Sequence, residues 1–348
     1  MAKKPKSAGG KTPFHAVVEK IQNRSISDAD ISNFFVVQPN PRRPFDFTVG
    51  LNRTAVDLQG IEKSAKLADA LAHDASIGRD ERLAPTTPPK GFSRKVPVVA
   101  EGDSWSRLPP LVMPPTLVDV LEQSHAYPIR NLAHWGDTLT EMIQAGQFWP
   151  ALISGQADTF LFSGGGNDML GGEGGVTRFL NLFDPDHAEP SHAAYYVKPE
   201  FYSNLKLVLQ DYESLIQRIH LRAPDVIMVG HGYDYAIPRS SGPWIGNGMA
   251  FVGLDPTFQA DLCRAIMRIM TDAFNKGLAG FAATYSNYRY VDLRGVVGKN
   301  EWYDELHPTA AGAAKIAARF DAMLKSLPKS GTFETPAIAS RMLFGRAA

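Results

Sequence analysis

Short apolar runs alternate with longer amphipathic segments over most of the chain. The runs lie at Val96–Ala100, Tyr127–Leu132, Thr159–Phe162, Val226–Val229 and Tyr288–Leu293. They have the length and the β-branched and aromatic content of buried strands. Between them, apolar residues recur at helical spacing over Leu117–Ser124, Leu139–Ile153, Val176–Phe183, Pro199–Arg222 and Thr257–Leu278. A last helix is expected from Pro308 to about Leu327, with Pro308 at its first position. Strands that alternate with helices make βαβ units and a parallel sheet. The expected fold is α/β: a three-layer α/β/α sandwich around a five-stranded parallel sheet.

The first 90 residues depart from this rhythm. Residues 1–12 are polar and rich in Gly and Lys, and disorder is expected there. Residues 13–24 read as a short helix with Pro13 in its first turn, and Ser27-Asp28-Ala29-Asp30 offers a second helix start before Ile31 and Phe34. The prolines of PNPRRPF at 39–45 predict irregular chain. Helical spacing returns over 54–77, from Val56, Leu58 and Ile61 to Leu71, and APTTPPKG at 84–91 has the composition of a linker. The division is therefore an N-terminal helical extension over 1–90, a main domain over 91–328 and a tail over 329–348. Inside the main domain, residues 231–256 form a 26-residue loop rich in Gly and Pro. Loops of that length in a folded domain are often functional.

Composition narrows the function. Hydrophobic residues make up 44% of the chain, enough for a substantial core. Lys plus Arg and Asp plus Glu both total 36, so no net charge pulls the protein toward nucleic acid or an anionic membrane. No apolar run reaches the roughly 20 residues needed to span a bilayer. The four lysines before residue 12 have no apolar stretch behind them, so a cytoplasmic location is expected. The single cysteine, Cys263, rules out an intramolecular disulfide and a cysteine-cluster metal site.

In an open α/β sheet, ligands bind beyond the carboxyl ends of the strands. Glu101-Gly102-Asp103-Ser104-Trp105 follows the first expected strand, and Ala133-His134-Trp135-Gly136-Asp137 the second. Ser163-Gly164-Gly165-Gly166-Asn167-Asp168 follows the third, and the loop opening with His231-Gly232-Tyr233-Asp234 follows the fourth. Beyond the fifth comes Asp304-Glu305-Leu306-His307-Pro308. A nucleophile, a base, an acid and several hydrogen-bond donors thus fall on one edge of one sheet.

Four of these blocks resemble those of the SGNH (GDSL-type) hydrolases. Gly102-Asp103-Ser104 is similar to the family's nucleophile block, although Trp105 stands where the motif has leucine. Gly136 matches its oxyanion-hole glycine, Gly165-Gly166-Asn167-Asp168 its G-x-N-D block, and Asp304 to Pro308 its D-x-x-H-P block. The resemblance covers about 95–327 and implies the flavodoxin-like SGNH hydrolase fold. It also implies a serine hydrolase without metal or cofactor, acting on short-acyl, lipid or acetylated-sugar esters of small molecules or carbohydrates. By that resemblance Ser104, Asp304 and His307 are catalytic, and Ser104, Gly136 and Asn167 form the oxyanion hole.

The chemistry of the residue types agrees. A serine hydroxyl needs an adjacent base to become a nucleophile. Histidine is the side chain that accepts a proton near neutral pH. Asp304, three residues before His307, can fold back onto the imidazole, fixing its tautomer and stabilising its charged form. Asp292 is a less well spaced rival for that place. The N–H groups of Ser104 and Gly136 with the Asn167 amide would supply three donors to a tetrahedral oxyanion. Asp103 and Asp168 are expected to brace loops. Aromatic residues crowd the same edge, and Trp105, Tyr233 and Trp302 are candidates for substrate contact.

Other motifs are missing. No Gly-Lys-Ser/Thr follows GGGNDMLGGEGG, and there is no G-x-S-x-G elbow, no H-E-x-x-H and no GxGxxG loop. The same triad also suits an acyltransferase, in which an alcohol replaces water. A third reading keeps the fold as a binding or scaffold protein whose region 13–80 recruits a protein partner.

Overall fold

The structure, a computed structural model, describes residues 11–22, 28–39, 47–57, 97–108, 113–171 and 174–328. The N-terminal described residues contain the two expected helices, α1 (Phe14–Gln22) and α2 (Asp28–Phe34). They also contain four strands that the sequence did not predict. β1 (Thr12–Pro13) pairs with β4 (Val56–Asp57), and β2 (Phe35–Pro39) runs antiparallel to β3 (Phe47–Leu51). Val56, expected in a helix, is therefore in a strand. It joins Phe14, Val17 and Phe34 in a small separate core. Residues 58–96, with the rest of the expected helix and the linker, lie outside the described residues, as do 329–348.

In the main domain the five apolar runs pair as expected. β5 (Val98–Gly102), β6 (Ile129–Asn131), β7 (Thr159–Ser163), β8 (Ile227–His231) and β9 (Tyr288–Val291) form one parallel sheet in the order β6-β5-β7-β8-β9. Taken along the chain this is the 2-1-3-4-5 order of doubly wound flavodoxin-like sheets.

Alternation along each strand sends side chains to two cores. Val99, Phe160, Phe162 and Met228 enter one, against α4 (Leu139–Ala145), α5 (Trp149–Ile153), α8 (Pro199–Arg222) and α10 (Ala260–Thr284). Val98, Ala100, Leu161, Ile227 and Val229 enter the other, against α3 (Leu117–Gln123) and α11 (Ala310–Ser326). The long helix α8 shows why the sequence chooses this arrangement. Pro199 opens it, and Phe201, Leu205, Val208, Tyr212, Leu215 and Ile219 place one buried stripe on the sheet.

Several expected boundaries move; the helix expected over Thr257–Leu278 runs from Ala260 to Thr284. The helix expected over Leu139–Ile153 is two helices, because Gly146 takes a left-handed conformation and caps the first. The segment at Val176–Phe183 is a 3₁₀ turn over Gly175–Phe179. Pro308 lies before the last helix and not at its first position, since the Thr309 side chain accepts from Gly312 N–H and supplies the cap. Three short helices were not foreseen, among them α7 (Ala193–Tyr196), just before α8. α6 (Gly166–Leu170) follows β7 directly, and α9 (Gly246–Phe251) sits within the 231–256 loop.

Candidate active site

Parallel strands all end on one edge of the sheet, so their following loops must meet. After β5 the chain turns at once: Ser106 and Arg107 N–H both donate to Asp103 O, at 3.0 and 3.1 Å. This turn presents Ser104, only 8% exposed, to the loop that follows β9. That loop is closed on itself, with Tyr303 N–H donating to His307 O (2.8 Å) and Thr309 N–H to Glu301 O (2.7 Å). The closure places Asp304 and His307 side by side facing Ser104.

The contacts form a line. Ser104 Oγ lies 2.9 Å from His307 Nε2, and His307 Nδ1 lies 2.7 Å from Asp304 Oδ2. The second Asp304 oxygen accepts the backbone N–H groups of Leu306 (2.8 Å) and His307 (2.7 Å). Burial opposes ionisation of Asp304, but His307 and these two N–H groups outweigh it and hold its pKa down to about 2. With Asp304 ionised, the imidazole proton belongs on Nδ1, and Nε2 is left to accept from the serine hydroxyl. Asp292, the rival acid, is paired instead with Arg294 at 2.6 Å.

The donors lie across from this line. Asn167, in the first turn of α6, gives one amide proton to Asp137 O at 2.8 Å and ties its loop to the neighbour of Gly136. Gly136 itself has φ +79°, a conformation that a side chain would strain. Among the described residues, the N–H groups of Ser104 and Gly136 donate to no other group, so both are available to a ligand.

Asp103 and Asp168 brace as expected. Asp103 accepts Trp105 N–H (3.0 Å), Ser163 Oγ–H (2.8 Å) and the Tyr233 hydroxyl, and burial raises its pKa. Asp168 accepts Leu139 N–H at 2.8 Å, and burial pushes its pKa up to about 6. A carboxyl whose folded pKa lies above its unfolded value costs stability as pH rises between the two. Asp168 is therefore expected to remove about 3 kcal/mol of stability between about pH 4 and pH 6. Asp304 acts with the opposite sign in the window below: its contribution is present above about pH 4 and is lost as pH falls toward about 2. Urea midpoints of wild type and Asp168→Asn across pH 4–7 check the first effect. The gap between the two proteins should change with pH only below about 6, and a constant gap would refute it.

Trp105, Tyr233 and Trp302 all line a partly open cavity that also touches Ser104 and Asn167. Trp105 meets the other two rings edge-on, with centroids 5.3 and 6.2 Å away. The Tyr233 hydroxyl has structural work: it donates to Asp103 and accepts Gly166 N–H at 3.0 Å. The Tyr233 hydroxyl is thus engaged within the protein. His231 beneath it is fully buried, and burial pushes its pKa down to about 3, so it stays neutral.

The sequence profile of the GDSL-like lipase/acylhydrolase family matches residues 102–315, a span that holds every member of this arrangement. The chain belongs to that family. It is an ester hydrolase on an SGNH-type fold. Among solved structures it is similar in fold to an extracellular lipase from Streptomyces rimosus (18% identity, 65% of this chain and 99% of that one, TM-score 0.47). A phospholipase A1 from Streptomyces albidoflavus NA297 aligns at 16% identity over 66% and 99% of the two chains, TM-score 0.44. An acetyl-xylooligosaccharide esterase from Geobacillus stearmophilus aligns at 16% over 67% and 95%, TM-score 0.38. No curated protein matches the chain.

Trp244 was expected among the aromatic residues of this edge, but its contact with Asp304 and the role of Glu305 were not read from sequence. Trp244, in the long loop, donates its indole N–H to Asp304 Oδ2 at 3.1 Å and stands edge-on to the His307 ring. Glu305 is fully buried and gathers four backbone N–H groups of that loop. The signal for Glu305 was present: an acidic side chain beside Asp304, and a distant loop rich in glycine. Neither feature named the other. Among the described residues, no group of three His, Cys, Asp or Glu side chains is placed to hold a metal, and no helix is long and apolar enough to cross a membrane.

Proposed function

We propose that this hydrolase cleaves carboxylic esters through an acyl-enzyme on Ser104. The observation that carries the reading is the unbroken line from Ser104 Oγ through His307 to Asp304. Ser104 Oγ attacks the ester carbonyl carbon while His307 Nε2 takes the hydroxyl proton. Asp304 holds the imidazole and stabilises the positive charge it acquires. The carbonyl oxygen becomes an oxyanion, bound by Ser104 N–H, Gly136 N–H and the second amide proton of Asn167. When the carbon–oxygen bond to the alcohol breaks, His307 returns the proton to the departing oxygen. Water then enters, gives a proton to Nε2 and attacks the acyl carbon. Collapse of the second tetrahedral state frees the acid and regenerates Ser104.

A fluorophosphonate probe together with a p-nitrophenyl acetate assay tests this reading. The probe is expected on Ser104 alone, with release of p-nitrophenol by unlabelled protein. Failure of both, or a label mapped elsewhere, would overturn it. Asn167→Ala separates the donors from the nucleophile. It should fold and still take the probe, yet lose about 10²–10³ in kcat. Near-normal turnover would remove Asn167 from the oxyanion hole.

A further inference from the structure

Three chain segments that carry catalytic groups meet in a small apolar cluster. Leu108 and Met113 follow Ser104 in the chain, Trp135 comes from the loop of Gly136, and Trp244 from the loop that reaches Asp304. The fifth member comes from none of these segments. It is Val37, in β2 of the N-terminal extension, which packs with Met113 and Trp244 against the buried Leu108 and Trp135.

The strand explains how Val37 comes to be there. Side chains two apart on a strand share a face. Phe35, two residues earlier, packs against the N-terminal core of Phe14, Val17, Phe34 and Val56, as does Leu51, its partner across the ribbon. One face of the β2–β3 ribbon therefore joins the N-terminal core to the active-site cluster. Val36, between Phe35 and Val37, belongs to the opposite face.

The two tryptophans that meet Val37 stand on either side of the catalytic line. Trp135 directly precedes Gly136 and stacks on His134, with ring centroids 4.4 Å apart. His134 N–H in turn donates to Gly102 O at 2.9 Å, two residues before Ser104. Trp244 donates to Asp304 Oδ2 and stands edge-on to the His307 ring at 6.1 Å. A shift of Trp135 therefore carries an oxyanion donor with it, and a shift of Trp244 loosens the carboxylate that orients His307. Catalysis by fixed geometry is sensitive to such small displacements.

We propose that Val37 is a positioning residue for ester hydrolysis: through it the N-terminal ribbon holds Trp135 and Trp244 in place, and the extension is a working part of the active site. The proposal rests on the Ser104 acyl-enzyme reading.

The test uses the full-length protein and p-nitrophenyl acetate. Val37→Asp sets a carboxylate against apolar neighbours, where it would lose its water, and so drives the ribbon away. kcat is expected to fall about tenfold or more, with KM changed by less than about threefold, because the reacting geometry is disturbed and the small substrate's contacts are not. Val37→Ala, a milder change, should lower kcat about threefold, and Val37→Ile should keep it within about twofold of wild type. Acrylamide quenching of tryptophan fluorescence should rise in Val37→Asp, since two of the five tryptophans lose their cover. Val36→Asp, on the opposite face of the same strand, should alter neither kcat nor quenching. Wild-type kcat in Val37→Asp, or equal losses in Val37→Asp and Val36→Asp, overturns the positioning role. Unchanged quenching in Val37→Asp overturns the contact itself, whatever the fate of Ser104. A wild type that neither takes the fluorophosphonate probe nor turns over ester overturns the Ser104 reading, and the positioning role with it.

Discussion

Ser104→Ala is expected to abolish fluorophosphonate labelling and to lower kcat toward esters by about 10⁴–10⁶. The change removes one oxygen whose partner in the structure is His307 Nε2, at 2.9 Å. His307 keeps its bond to Asp304 and its place in the closed loop, so the fold should be nearly untouched. What disappears is the covalent route: His307 can then at best direct water at the carbonyl. The N–H groups of Ala at 104 and of Gly136, with Asn167, would still bind an oxyanion. Residual catalysis above the background of water is therefore expected, and it should fall further when Asn167→Ala is added. Urea unfolding should place the variant within about 1 kcal/mol of wild type, as expected for the loss of one nearly neutral hydrogen bond. A well-folded Ser104→Ala protein that turns over esters at near wild-type rate would move the nucleophile elsewhere.

The hydrophobic pattern gave the sheet and the edge to which each polar block belongs, while the roles expected of Ser104, Asp304 and His307 came from the resemblance of those blocks to the SGNH hydrolases. Five apolar runs fixed a parallel sheet, and a parallel sheet puts every strand's carboxyl end on one edge. Ser104, Asn167 and His307 come from blocks far apart in sequence, yet each was located by the strand it follows. Contacts that depend on a partner's identity were hidden. Hydrophobic spacing says which face is buried, but not that Trp244 donates to Asp304 or that Tyr233 ties Asp103 to Gly166. Tyr233 also adopts φ +66°, a conformation that nothing in an aromatic side chain announces. The N-terminal strands were missed for a different reason. Irregular chain was expected over 39–45, but Pro39 closes β2, residues 40–45 lie outside the described residues, and the short runs on either side pair antiparallel as β2 with β3. The apolar positions from Val56 onward fit helical spacing equally well, and pairing with Thr12–Pro13 decided for a strand at Val56–Asp57.

Glu305→Gln is expected to cost about 4 kcal/mol and to loosen Asp304. Each carboxylate oxygen of Glu305 accepts two backbone N–H groups: Oε1 those of Arg239 (2.9 Å) and Gly246 (2.7 Å), Oε2 those of Trp244 (2.8 Å) and Ile245 (2.9 Å). Gly242 packs so close that a Cβ there would fall 2.1 Å from the Glu305 carboxyl carbon. The loop is wrapped around this one acceptor, which explains how 26 residues with little regular structure stay ordered. In glutamine one oxygen becomes an NH₂, a donor facing two donors, with no room to turn away. Two buried N–H groups then lose their acceptor, at about 1–3 kcal/mol each. Trp244 is among the loop residues released, and with it goes the indole hydrogen bond on Asp304 Oδ2. A drop in kcat of about tenfold or more should accompany the lost stability, as a hydrogen bond to a charged group is worth ~1.5–3 kcal/mol. Urea unfolding measures the first effect and ester turnover the second. Hydrogen exchange on the wild type checks the cause without a variant: the amides of Arg239, Trp244, Ile245 and Gly246 should be the slowest of the loop. If they exchange as fast as their neighbours, Glu305 is not what holds the loop against the active site.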